Sequence, residues 1–132
     1  MKTSRSFAPE PGSIPAARRF VLETAGDMDK YRHDAIAVMT SELVMNAVQY
    51  ARTEFTVTIE VTGGTLRVEV TDSAPGTPEP GPLPPARSLH GRGLFIVGQL
   101  SDTWGITPSP ASAGKTVWFQ TALRTGAAGP AR

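Results

Sequence analysis

Between Glu54 and Val70 the apolar residues fall on every second position. Phe55, Val57, Ile59 and Val61 alternate with Thr56, Thr58 and Glu60, and after Gly63-Gly64 the residues Leu66, Val68 and Val70 alternate with Arg67 and Glu69. A period of two places alternate side chains on opposite faces of a sheet, and a Gly-Gly pair suits the tight turn between antiparallel strands. The stretch is therefore predicted to be a β-hairpin with one buried face, and that face needs a second layer to cover it.

Helical periodicity on either side supplies the layer. From Ser13 to Ala25 the residues Ala17, Phe20, Val21 and Ala25 recur at helical spacing, with Ser13 as N-cap and Pro15 in the first turn. A second helix is predicted over about Arg32 to Ala51, with Ile36, Met39, Leu43, Ala47 and Tyr50 on one stripe, widened by Val44 and Val48. Gly93 to Leu100 reads as a third helix with Leu94, Ile96, Val97 and Leu100 as its apolar positions. Trp104 to Thr107 and Thr116 to Leu123 read as strands, and Thr3 to Phe7 as an edge strand. The expected architecture is α+β, a two-layer α/β sandwich.

A chain of 132 residues fits one domain large enough for a real core. A net charge of +1 with dispersed Arg and Lys leaves no electrostatic footprint for nucleic acid, and the absence of cysteine excludes disulfides and thiolate metal sites. Without a long apolar run or a signal-like N-terminus, the expectation is a soluble, cytoplasmic protein with no membrane partner. The segment Asp72 to Leu89 holds Pro75, Pro78, Pro80, Pro82, Pro84 and Pro85, which bars regular helix and central strand. Long loops of this kind inside a domain are functional lids or disordered segments. The Gly-rich residues 125–132 read as a disordered tail.

Three separated segments carry candidate chemistry. Glu42 and Asn46 lie four apart on the second helix, hence on one side of it. The Asn46 carbonyl is a hard oxygen donor suited to magnesium beside a triphosphate, and Glu42 can serve as general base toward an attacking hydroxyl. Alone, the pair also fits a solvated helix edge. Asp72 stands where a strand opens into a loop. Its carboxylate can accept the amino hydrogens of adenine, where guanine presents a carbonyl, or it can close an Asx-turn. Gly76 allows backbone to approach a base plane. Gly91-Arg92-Gly93 reads as a helix start whose free N–H groups bind phosphate, with Arg92 adding charge. Thr116 can join Asp72 at the adenine or be an ordinary strand entry.

In this order, SELVMNAVQYA, VTDSAPGTP, GRGLFIVGQLSDTWG and GKTVWF resemble the N box, the two glycine boxes and the terminal Gly-Lys-Thr segment of histidine-kinase-like ATPases. The chain is most similar to the small anti-sigma-factor serine kinases of that superfamily, of the actinobacterial type. The resemblance implies the Bergerat fold over residues 1–124, a mixed, mainly antiparallel sheet backed by helices, with a mobile ATP lid at 75–90. It implies Glu42 as the catalytic acidic residue of the N box, acting as general base, Asn46 as the magnesium ligand, and Asp72, Gly76, Gly91, Arg92, Gly93, Leu94 and Thr116 as the ATP-binding set. It also implies Mg2+ and ATP as cofactors, a sigma factor and an anti-sigma-factor antagonist as partners, and a tendency to form a homodimer, for which Phe7 and the N-terminal edge are a candidate contact. Tyr50 stands where many relatives carry His.

Overall fold

The computed structural model describes residues 1–74, 88–108 and 114–123, and for 88–92 the backbone path only. The strands are β1 (Lys2–Phe7), β2 (Phe55–Thr62), β3 (Thr65–Asp72), β4 (Thr103–Pro108) and β5 (Lys115–Ala122). The helices are α1 (Ser13–Ala25), α2 (Lys30–Asn46) and α3 (Ser88–Leu100), and a π-helical turn, Ala47–Ala51, extends α2.

The alternation predicted for the hairpin is what the backbone adopts. Phe55 pairs with Asp72 and Thr62 with Thr65, so Val57, Ile59 and Val61 of β2 face Val70, Val68 and Leu66 of β3. Gly63 and Gly64 close the turn at φ 56° and 81°, a left-handed pair that costs glycine little and any β-branched residue much. The sheet order is β1-β2-β3-β5-β4 and every pairing among the described residues is antiparallel. Because β3 and β4 both run against β5, they point the same way, and α3 connects them. The mixed sheet implied by the resemblance is here a split β-α-β unit whose two parallel strands are separated by β5.

One sheet face is apolar: Phe55, Val57, Ile59, Leu66, Val68, Val70, Val117 and Phe119 are buried. They pack with Ala17, Phe20 and Val21 of α1, Ile36, Met39, Leu43 and Val44 of α2, and Val97 of α3. Truncating a side chain such as Leu43 or Ile59 to alanine in a core of this kind costs about 2–5 kcal/mol. Phe7 belongs to the same layer, partly buried with its ring 5.6 Å from Phe55 and 6.1 Å from Phe20. The opposite face is polar, with Ser4 bonded to Thr58 at 2.9 Å and the Arg67 guanidinium 4.0 Å from the Trp118 ring.

Several details differ from the sequence reading. Ser13 is the first helical residue rather than the cap, because Gly12 already has helical dihedrals; its hydroxyl donates to the Ala8 carbonyl at 2.7 Å. Helix α2 starts earlier than Arg32, because the Asp29 side chain caps it by accepting the Arg32 amide at 2.8 Å. The stripe also fails at Tyr50, which is 46% exposed. A π turn takes more residues per revolution than an α turn, so it rotates Tyr50 outward and leaves Ala47 and Ala51 buried. The lid residues 75–87 and the tail lie outside the described residues.

Candidate functional site

Glu42, on the last turns of α2, is half-buried, and α3 passes directly against it. A Cβ atom added at Gly93 would stand 2.5 Å from Glu42 Oε1. Glycine at 93 is what lets the two helices meet around that carboxylate. Burial pushes the Glu42 carboxyl above its ordinary value of 4.5, because partial removal from water disfavours the charged form. A carboxylate with raised proton affinity is a better general base.

Asn46 follows one turn later and is 7% exposed. It is the last α-helical residue before the π turn, and it is already engaged within the protein. A π turn inside a helix commonly marks a functional site, since it re-aims the neighbouring side chains. Here it also brings the end of the helix against β3. The fit to magnesium rests on the chemistry of the donor: a buried, neutral, hard oxygen adds no charge beside phosphates.

Asp72 ends β3 on the apolar face and is 3% exposed. Its Oδ1 accepts the Ala74 amide at 3.0 Å, which is the Asx-turn foreseen as the alternative reading. Its Oδ2 accepts from Lys115 Nζ at 2.7 Å, and the Lys115 side chain is only 16% exposed. An ion pair this withdrawn from water holds both partners, because either charge left alone there is costly. Gly114, just before Lys115, is equally constrained: a Cβ added there would overlap the main-chain oxygen of Asp72 and come within 2.8 Å of its Oδ1.

The structure moves Thr116 away from the position expected of it. Thr116 pairs with Thr71, one residue before Asp72, and its hydroxyl is 2.8 Å from that of Thr71. Successive strand residues face opposite ways, so Thr116 lies on the polar face while Asp72 lies on the apolar one. Continuing the register by one step sets Lys115 opposite Asp72. Sequence reasoning passed over Lys115, yet the signal was present: counting back by twos from the apolar positions Phe119 and Val117 puts residue 115 on the buried side.

The glycine pair is also displaced from the helix start. Helix α3 begins at Ser88, so Gly91 belongs to the first turn and Gly93 lies within the helix. Glycine inside a helix costs about 1 kcal/mol relative to alanine, which weakens a helix without ending it. The unsatisfied N–H groups that suit an anion are then those of residues 88 to 91. Leu94 is partly buried and packs against the core. Gly76 and the Arg92 side chain lie outside the described residues.

Asp72 and Lys115 thus face the helix layer from the sheet, Asn46 is buried at the end of α2 and Glu42 stands where α2 meets α3, whereas a groove of about 370 Å³ lined by Glu60, Thr62, Thr65, Arg67 and Gln120 lies on the polar face. Among the described residues, no helix is long and apolar enough to cross a membrane. A family model described as a histidine kinase-like ATPase domain matches residues 7–121. The chain is also similar in structure to a crystal structure of the RsbU and RsbW domains of Rv1364c from Mycobacterium tuberculosis, with a TM-score of 0.69 at 20% identity. That match covers 93% of this chain and 32% of the other, so this chain spans about a third of its length. No curated protein sequence matches the chain.

Proposed function

The chain belongs to the histidine kinase-like ATPase domain family, and from that membership we propose that it is an ATP-binding anti-sigma regulator. In this reading it binds a sigma factor and phosphorylates a serine or threonine of an antagonist protein, using ATP with magnesium. The carrying observation is the Glu42 corner, where a half-buried carboxyl with raised proton affinity is pressed against Gly93, one turn from the buried Asn46. Support for the regulatory role comes from the resemblance to anti-sigma-factor serine kinases and from the fold shared with a chain that contains an RsbW domain.

The chain's own residues divide the work. Asp72 accepts the amino hydrogens of adenine. Asn46 offers the oxygen that would hold the magnesium ion, which when bound neutralises phosphate charge. Glu42 takes the proton from the attacking hydroxyl as its oxygen bonds to the terminal phosphorus, and the leaving ADP carries away the electron pair of the broken bond on its β-phosphate oxygen. The first turn of α3 supplies N–H donors for the phosphates.

Calorimetry with ATP, with and without magnesium, tests the binding half, and transfer of labelled phosphate from ATP to a candidate antagonist tests the chemistry. ATP affinity that needs Asn46 and Asp72, together with transfer that is lost in Glu42→Ala, is the expected result. Failure to bind ATP overturns the whole reading. Binding and partner capture that survive Glu42→Ala, without transfer by the unaltered chain, would make it an ATP-dependent binding module instead.

A further inference from the structure

A carboxylate accepts hydrogen bonds and cannot donate them, so a lone aspartate at a base pocket selects the purine with an amino group at C6. Asp72 is not alone. Lys115 Nζ lies 2.7 Å from Asp72 Oδ2, on the same face and opposite it in register, in a pair exposed by only 16% and 3%. The other carboxylate oxygen is engaged by the Ala74 amide, and Gly114 packs against the Asp72 main chain, so the pair is fixed from both strands. A base that reaches Asp72 therefore meets the ammonium group as well.

An ammonium group carries three donors and no acceptor, and one donor is used on Asp72. The pair thus presents a donor and an acceptor side by side. Adenine matches it through its amino group on Asp72 and its N1 accepting from Lys115. Guanine matches it too, after a small shift, through its O6 accepting from Lys115 and its N1–H donating to Asp72. We propose that Lys115 is a specificity-determining residue that turns an adenine-reading carboxylate into a purine-reading pair, so that the site takes GTP as well as ATP. The inference rests on the nucleotide-binding reading above and adds to it the breadth of the substrate class.

Sites that hydrogen-bond one partner reject a mismatched analogue by factors of about 10⁴–10⁵, because a buried polar group is left unpaired. With a donor and an acceptor both available, that mismatch disappears. Calorimetric titration of the full chain with magnesium-ATP and magnesium-GTP should give dissociation constants within about tenfold of each other. Lys115→Met should weaken GTP by at least about tenfold more than ATP, since guanine then sets its O6 beside the Asp72 carboxylate with no donor between them, whereas the adenine amino group keeps its bond to Asp72. A preference of the unaltered chain for ATP beyond about tenfold overturns the inference and leaves the ATP site intact. An unchanged GTP-to-ATP ratio in a folded Lys115→Met chain does the same. Binding of neither nucleotide overturns this inference and the parent reading together. The ratio in the unaltered chain needs no variant, so the test stands even where Lys115→Met fails to fold; Lys115→Thr, which keeps a shorter donor, serves as the second variant.

Discussion

Two carboxylates mark the two sides of the candidate site, and each has a glycine pressed against it. Gly93 faces the flexible tip of Glu42, whereas Gly114 faces the main chain of Asp72. A side-chain tip can rotate away from an added methyl group, but a carbonyl held in a sheet cannot. Glu42 is half in water with its proton affinity raised by burial, while Asp72 is withdrawn from water and neutralised by Lys115. The helix side of the site is arranged for proton transfer, and the sheet side is arranged to be rigid.

The largest effect that this contrast predicts is at Gly114. Replacing it with alanine forces β3 and β5 apart at the Asp72 carbonyl and should destabilise the fold by about 3 kcal/mol. Urea denaturation measures the loss, and a change below about 1 kcal/mol would mean the sheet corner is as yielding as the helix corner.

Asp72→Asn comes next. It leaves the Lys115 charge without its counter-ion, and because the lysine side chain retains some exposure, about 2 kcal/mol is expected rather than the full cost of a deeply buried pair. Pairing the change with Lys115→Met should recover part of that loss, since the double variant buries no lone charge. Strict additivity in the four-variant cycle would show that the two groups do not act as a unit.

At Gly93 stability and function should separate. The added Cβ of Gly93→Ala meets only the Glu42 carboxylate tip at 2.5 Å, and alanine favours the helix, so stability should change by no more than about 1 kcal/mol. Displacing the base from its position should nonetheless lower phosphoryl transfer by at least about tenfold, with ATP affinity little altered. Transfer rates that match the unaltered chain would remove Glu42 from the reaction.

How much of this was legible in advance follows from the range of the forces involved. The hairpin, the helix stripes and the sandwich are written as local periodicity, which survives in a linear sequence because the side-chain direction is fixed by spacing. The placement of Glu42 and Asn46 one turn apart on a single helix was likewise legible. The Lys115–Asp72 pair was not, because it joins residues 43 apart across β3 and β5 and depends on register. Thr116 was misplaced for the same reason: a shift of one residue turns a side chain to the other face. The π turn after Asn46 was also hidden, since one extra residue per turn leaves no mark until tertiary packing decides it.

The smallest predicted effect is in pH, and it separates the two carboxylates most cleanly. Burial raises the Glu42 pKa in the folded chain above its ordinary 4.5, so the folded state holds that proton more tightly than the unfolded state. Its contribution is therefore fully present below 4.5 and is lost as pH rises through the shifted value. Glu42→Gln has no proton to lose. The variant should match the unaltered chain in acid and exceed it near neutral pH by less than about 1 kcal/mol, because the side chain is partly screened by water. Denaturation midpoints for both proteins across this range measure the difference. A gap that stayed constant with pH, or that favoured the unaltered chain at neutral pH, would mean that the Glu42 carboxylate is stabilised where it stands, and the helix corner would then be built like the sheet corner.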